Sequence, residues 1–546
     1  MLPLVPAPAH LRPLDEPGFR LVAPVRLVVP DAARLDASAL AGLADLLGAA
    51  SGGPSLLVHG PAGDGPAVVL ELADGGASRD GSGSGDGAAP APRPRPLTRE
   101  AAAEEAYTLH IDADRVLLRA ARPVGLYRGA TTLVQLLRAA AERAGGGEPP
   151  VLPALHVEDA PRYAWRGVMI DVVRHFFDVD VLKEVIDLAA VYKLNAVHLH
   201  LTDDQAWRLE LASRPLLTEL SGTGQVGGGA AGFLTRADWE DLLEHAADRR
   251  VTLVPEIDVP GHVNAALHAY GELTPSGEPT PAFTGAHVGF SKVTLNEPAT
   301  LPFVRDVFTE LAELTPGPYV HGGGDEVDTI TEEDYADFVG ALGQVVAGTG
   351  KTLVVWQEAA GADLPEGTVV QLWASTLDPA GVREAAGRGH DVIMSPSNHV
   401  YLDMKYAPDF PLGLDWSGYV DVRRSWEWDP DTHVDGIDPE RVRGVEAPLW
   451  TETVATREDL FTMLLPRLVA AAEVAWTPQD VRDGGGFDDF ARRLAAQVPL
   501  WREQGWAFYA SDEVDWADAD PAVETADVKP ADVEPADVEA DAVDRG

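Results

Sequence analysis

The sequence predicts a (β/α)8 TIM barrel preceded by a small α/β accessory domain and followed by a disordered acidic tail. Three observations carry that expectation. From about residue 160, short apolar runs alternate with helical stretches until eight strand candidates have passed. Before that point the strand-like segments are spaced differently and interrupted by a long Gly/Ser/Pro stretch. The last 36 residues carry 13 acids against two basic residues. At 546 residues the chain is also too long for one small core, so a large barrel with an appendage fits its size.

Taken in order, residues 1–155 form the expected accessory domain. VRLVV (25–29), AVVLEL (67–72), YTLHI (107–111) and RVLLRA (115–120) are strand-like. GLYRGATTLVQLLRAAAERA (125–144) has helical spacing, with Leu126, Ala130, Leu133, Leu136 and Leu137 apolar. Between these elements, 75–96 has almost nothing to bury and is expected to be a mobile loop.

The expected catalytic barrel covers 156–510. Its strands are WRGVMIDVV (165–173), AVHLHL (196–201), TLVPEID (252–258), YVHGGGDE (319–326), TLVVWQE (352–358), VVQLWA (369–374), DVIMSP (391–396) and VEAPLW (445–450). VLKEVIDLAAVYKL (181–194) shows the helical alternation, with Leu182, Val185, Ile186 and Ala189 on one face. Residues 511–546 form the expected tail, in which ADV recurs every five residues at 526, 531 and 536, a period that suits neither helix nor strand.

Composition excludes several classes of function. The formal charge of −45 repels phosphate backbones and anionic lipid heads, so neither nucleic acid nor membrane is expected as a partner. The absence of cysteine rules out disulfides, thiolate metal sites and cysteine nucleophiles. MLPLVPAPAHLRPLDEPGF has neither a basic n-region nor a continuous apolar h-region, so no conventional signal peptide is expected and the cytoplasm is the expected location. Oligomeric state is not legible.

In such a barrel, chemistry collects where strands end. Those ends carry Asp171 and Arg174; His198, His200, Asp203 and Asp204; Glu256, Asp258 and His262; His321, Asp325 and Glu326; Trp356; Trp373; Tyr401 and Asp403; and Trp450 and Glu452. A lone Trp is more often core, and a lone Arg-acid pair is usually a salt bridge. Indoles, fixed carboxylates and one Arg gathered on a single rim suit a sugar, whose C–H faces stack on rings while polar groups take its hydroxyls.

The runs WRGVMIDVVRHFFDVDVLKEVIDLAAVYKLNAVHLHLTDDQAW (165–207), PEIDVPGH (255–262), HGGGDE (321–326) and VEAPLWTE (445–452) together resemble family 20 glycoside hydrolases, the β-N-acetylhexosaminidases, over about 120–510. The resemblance implies an exo-acting, retaining enzyme that releases terminal β-linked GlcNAc or GalNAc without cofactor or metal. It implies that the substrate's 2-acetamido oxygen attacks C1 to form an oxazolinium ion, that Glu326 is the acid and base, and that Asp325 holds the acetamido N–H. By the same matching, Tyr401 aims the acetamido oxygen, and Arg174, Asp403 and Glu452 take ring hydroxyls. Trp356, Trp373 and Trp450 wall the pocket, Trp416 lines the leaving-group side, and Asp203 with His262 supports Glu326. His321 is expected to order its strand. Gly322 stands where the family commonly has a bulky aliphatic residue, and Ala206 where glycine is frequent.

Two other readings of the residues stay open at this stage. His198 and His200 on one strand face are the H-x-H pattern of a metal-dependent barrel hydrolase. A barrel that binds sugar without turning it over is the other.

Overall fold

The computed structural model describes residues 2–21, 25–29, 55–60, 66–73, 97–144 and 149–516, with Ala44, Gly48 and Gly53 between them. The expected loop at 75–96 and positions 517–546 of the expected tail lie outside the described residues.

The N-terminal layer is a seven-stranded mixed sheet. It contains β1 (His10–Pro13), β3 (Val25–Val29), β4 (Ser55–His59), β5 (Ala67–Leu72), β6 (Tyr107–Ile111), β7 (Arg115–Ala120) and β9 (Leu155–Asp159), in the order β1-β9-β6-β7-β5-β3-β4. β2 (Phe19–Arg20) and β8 (Val151–Leu152) form a separate pair. The helix Pro123–Ala144 covers the sheet, burying Leu126, Ala130, Leu133, Leu136 and Leu137 as its spacing predicts. β1, β2, β4, β8 and β9 were not expected. HLRP and LHVED are short and partly polar, and they become strands because each finds an edge to pair with: His10 opposite Glu158, and Tyr107 opposite Asp159.

Eight parallel strands close the barrel. They are β10 (Trp165–Asp171), β11 (Ala196–His200), β12 (Thr252–Glu256), β13 (Tyr319–His321), β14 (Thr352–Trp356), β15 (Val369–Leu372), β16 (Asp391–Met394) and β17 (Val442–Leu449). Each coincides with an expected segment. All eight end one to five residues earlier than expected, where the chain turns out of the ladder into the loops that carry the rim residues.

The twofold periodicity of a strand builds the interior in layers. One cluster takes Trp165, Ala196, Val254, Tyr319, Val354, Val369 and Ile393, one from each of seven strands. Two residues further along, on the same face, come His198, Glu256, His321, Trp356 and Gln371, a polar layer directly above the apolar one. Gly167 takes that place on β10, where a Cβ would lie 2.4 Å from Glu446 Oε2.

Buried ion pairs join sheet and barrel. Glu105 accepts from Arg128 and from Arg166 of β10, both at 2.6 Å. Asp159 of β9 receives Lys193 Nζ at 3.0 Å and Trp476 Nε1 at 3.0 Å, and Trp476 completes the accessory core.

The tail boundary expected at 511 is corrected. Ser511 Oγ donates to Asp421 Oδ2 at 2.9 Å, and the Trp516 ring packs against Phe508 and Trp501 with centroids 5.5 and 6.2 Å apart. Residues 511–516 therefore belong to the folded body: a Trp and a Val in an otherwise acidic stretch bury apolar area that solvated acids cannot.

Candidate active site

HGGGDEV is held in its unusual path by glycine. Gly323 has φ +65° and Gly324 φ +106°, and a Cβ on Gly323 would lie 1.8 Å from Asp258 Oδ1. That approach lets the Gly324 N–H donate to Asp258 Oδ1 at 2.9 Å, anchoring the turn to the end of β12. At Gly322, a Cβ would lie 2.8 Å from Leu342 and 3.0 Å from Leu353, so two leucines occupy the space a side chain would take. Glu326 itself has φ +47°, a left-handed conformation uncommon outside glycine.

Asp325 is thereby buried and Glu326 half-buried. Burial raises Glu326; against the pull of His262 and with the push of the Asp325 charge, it settles at about 7. His262 Nε2 lies 3.7 Å from Glu326 Oε2 and 3.9 Å from Asp325 Oδ2. Its other nitrogen, Nδ1, lies 3.2 Å from Asp203 Oδ1. Burial opposes the imidazolium, but Asp203 outweighs it and holds His262 well above the ordinary imidazole value.

Asp203 joins three cations. Besides His262, its Oδ2 lies 2.8 Å from Arg174 Nη2 and 3.0 Å from His200 Nε2. Arg174 also lies 3.3 Å from Asp171 and stacks over Trp450 with its guanidinium carbon 4.9 Å from the ring centroid. Glu452 is within the field of Arg174, although burial dominates and raises its pKa.

A wall of rings closes the other side. Tyr401 stacks on Trp373 at 6.1 Å and meets Trp416 edge-on at 5.9 Å, and Trp373 and Trp450 pack against the cluster around Tyr401. Trp416 is 45% exposed, so it lies at the mouth. Both Oδ atoms of Asp403 are buried without a hydrogen-bond partner among the described residues, and burial followed by the Glu452 charge pushes its pKa well up. Asp325 Oδ1 is likewise buried and unpartnered. Such atoms cost free energy unless something that binds there satisfies them.

Trp356 differs from its expected place in the wall. It is fully buried and donates Nε1–H to Glu256 Oε1 at 2.8 Å, which puts it in the floor, 6.1 Å from Trp450. His321 lies in the same buried layer, 2.9 Å from Glu256.

Glu358 was not anticipated. Both of its oxygens accept from Trp373 Nε1, at 3.2 and 3.1 Å, and burial reinforced by Asp325 raises it to about 8. Its signal was present, because it closes TLVVWQE as an acid just past a strand end.

The histidines of the metal reading are engaged by carboxylates. His200 Nδ1 lies 2.6 Å from Glu256 and its Nε2 3.0 Å from Asp203, while His198 lies 2.9 Å from Glu446 and 3.1 Å from Glu256. Burial opposes charge on these rings, but the carboxylates prevail, raising His198 to about 9 and His200 well above the usual value. Each ring nitrogen of the two histidines thus faces a carboxylate within 3.1 Å, with which it can share a proton.

The sequence profile of the glycosyl hydrolase family 20 catalytic domain matches residues 163–479, and that of the family's domain 2 matches 1–160. The chain belongs to glycosyl hydrolase family 20. It is a glycoside hydrolase, 47% identical to a β-N-acetylhexosaminidase of Cellulomonas fimi over 94% of this chain and 97% of that one. The GH20 β-N-acetylhexosaminidase of Streptomyces coelicolor superposes with a TM-score of 0.83 at 40% identity, covering 94% of this chain and 99% of that one. A mutant Streptomyces plicatus β-hexosaminidase in complex with product GlcNAc superposes at 0.84, with 40% identity and coverage of 94% and 98%. Within this family 20 chain, Asp325, Glu326, Arg174, Asp203 and His262 form one contact network, while Tyr401, Trp373, Trp416 and Trp450 form one ring group. No helix among the described residues is long and apolar enough to cross a membrane.

Proposed function

We propose that this β-N-acetylhexosaminidase releases terminal β-linked GlcNAc or GalNAc through the substrate's own acetamido group, with Asp325 and Glu326 as its catalytic pair. One observation carries the reading: the two acids are neighbours in the chain yet have opposite environments. Asp325 is buried with an unpartnered oxygen, and Glu326 is half-buried and titrates at about 7. Both side chains spring from consecutive Cα atoms about 3.8 Å apart, whereas the paired acids of an ordinary glycosidase flank the bond they cleave.

Two further acids that adjoin the pair, Asp258 and Glu358, are held towards the protonated form by burial and the Asp325 charge. Glu358 is bound by Trp373 and holds its proton to about 8, and Asp258 is fully buried under the Gly324 N–H. A nucleophile supplied by the substrate resolves this. Its acetamido carbonyl oxygen attacks C1 as Glu326 protonates the departing glycosidic oxygen, giving a bicyclic oxazolinium ion. Glu326, now a carboxylate, takes a proton from water as the water adds to C1, and the product retains the β configuration.

Asp325 accepts the acetamido N–H and offsets the positive charge that grows on that group. The Tyr401 hydroxyl holds the carbonyl oxygen towards C1. Arg174, Asp403 and Glu452 take hydroxyls of the same sugar, Trp373 and Trp450 cover its faces, and Trp356 supports them from below. His262, held by Asp203, steadies the carboxyl of Glu326. No metal or cofactor has a part in these steps.

The test is turnover of an aryl β-N-acetylglucosaminide beside the matching aryl β-glucoside, which differs in the 2-substituent. Cleavage of the acetamido sugar alone is expected. Comparable cleavage of both requires a protein nucleophile and ends the proposal.

A further inference from the structure

Arg467 is a buried cation that the mechanism does not use. It opens the helix Arg467–Trp476 and is 0% exposed. Its Nη1 donates to Met404 O at 2.6 Å and Val420 O at 2.8 Å, and its Nη2 to Leu402 O at 2.6 Å and Met463 O at 3.2 Å. The Tyr406 ring lies against the guanidinium, whose carbon is 3.6 Å from the ring centroid. Every oxygen it bonds is a backbone carbonyl, so among the described residues no carboxylate pairs with its charge. Buried charges are ordinarily paired, and a solitary one needs another reason to be where it is.

Its partners supply one. Leu402 and Met404 flank Asp403, and the chain beyond them folds back: the Leu414 N–H donates to Asp403 O at 2.8 Å and the Val420 N–H to Lys405 O at 3.0 Å. The Leu402 N–H is tied to Pro448 O of β17 at 2.7 Å. Arg467 thus grips the chain on both sides of Asp403 and again at Val420, closing the segment that carries Tyr401, Asp403 and Trp416. Its charge also acts on the acid. Burial raises the pKa of Asp403 and the Glu452 charge adds to that, while Arg467 pulls the other way. Burial raises Asp421 too, and Arg467 opposes it there, but Asp421 already accepts from the Val422 N–H at 2.7 Å and Ser511 Oγ at 2.9 Å. Asp403, with both oxygens buried and unbonded among the described residues, is the acid left open to a ligand.

We infer that Arg467 is a positioning residue for the sugar: it touches no substrate, fixes the backbone on both sides of Asp403, and supplies the positive charge against which that acid accepts a hydroxyl. This rests on the proposed reading of Asp403 as an acceptor of sugar hydroxyls. A guanidinium suits the task because its planar fork reaches the Leu402, Met404 and Val420 carbonyls at once, a geometry that a lysine ammonium does not reproduce. Contacts to hydroxyls of the bound sugar are made before the bond breaks as well as during it, so their loss shows in KM.

The experiment measures KM and kcat for an aryl β-N-acetylglucosaminide in Asp403→Asn, Arg467→Lys, Arg467→Met and the double variant of Asp403→Asn with Arg467→Lys. Asp403→Asn should raise KM about tenfold, the worth of a hydrogen bond to a charged group. Arg467→Lys, which keeps the charge and loses the fork, should raise it about fivefold, and Arg467→Met, which loses both, should raise it further. In the Asp403→Asn background, Arg467→Lys should add less than about twofold, because its route to the sugar has gone. Misfolded molecules lower the apparent kcat and leave KM, so a merely structural role moves kcat alone. Arg467→Lys keeps a cation in place, so a folding failure of the methionine variant does not block the test. A wild-type KM in both Arg467 variants, or an undiminished loss from Arg467→Lys in the Asp403→Asn background, overturns the inference while leaving the reading of Asp403 standing. An Asp403→Asn enzyme with the wild-type KM brings down that reading and the inference together.

Discussion

Glu326 and Asp325 share one peptide bond and differ in what surrounds their oxygens. The acid must be protonated to act, so its position at about 7 predicts a basic limb in kcat/KM near that pH. Sign follows from the direction of the shift. An unfolded Glu releases its proton near 4.5 and the folded one near 7, so Glu326 favours the folded state below 4.5 and loses that contribution as pH rises to 7. Glu326→Gln should abolish the limb and lower turnover about 10²–10⁴-fold on glycosides with poor leaving groups, with less loss on activated aryl glycosides. Equal loss on both would remove Glu326 from the acid role. Glu358, held neutral below about 8, is replaced by its uncharged isostere in Glu358→Gln, which should keep most activity at pH 6. A loss there as large as that of Glu326→Gln would show that the Glu358 charge matters.

At the scale of elements, the site depends on strands that stop at the right place. β13 has only three residues before glycines turn the chain, and the turn exists because the Gly324 N–H reaches Asp258. Gly323→Ala should therefore cost more than the ~1 kcal/mol usual for a glycine change. A Cβ there would be 1.8 Å from the carboxylate that anchors the turn, so activity should fall with stability. Helix caps are a milder matter. The helix Arg457–Leu464 begins with a capping box in which Thr456 and Asp459 satisfy each other's backbone N–H groups. Thr456→Ala should cost about 1 kcal/mol in a thermal melt and leave KM unchanged, since Thr456 and Asp459 bond each other and the first turn of their own helix.

For the whole molecule, the sheet and the barrel are joined by charges that water does not reach. Glu105 sits between Arg128 and Arg166 and is held below the usual carboxylate value, because the two guanidiniums outweigh the burial that would raise it. Glu105→Ala would strand two buried cations, and should cost about 3–5 kcal/mol in chemical denaturation. A change below 1 kcal/mol, about the worth of an exposed pair, would show that the network is solvated. Deletion of 517–546 should leave both melting temperature and turnover unchanged, whereas deletion from 511 removes Ser511, Val514 and Trp516 from the fold and should lower the melting temperature.

The barrel, its eight strands and the rim residues were legible in the sequence, since a buried parallel strand must be written in apolar runs and a catalytic rim in polar residues just beyond them. The same local logic could not show that Trp356 lies in the floor, because an indole at a strand end looks alike whether it faces sugar or Glu256. Nor could it reveal β1, β2, β4, β8 and β9, whose strand character comes from a neighbour's unpaired edge. Glu358 escaped notice for a related reason: its meaning lies in what it adjoins, the Trp373 indole. Residue type and periodicity determined the fold and the inventory of chemistry. Burial, pairing and the raised acid were decided only when the chain closed, because a carboxylate's free energy depends on the charges and solvent around it, and those are set by residues far away in sequence.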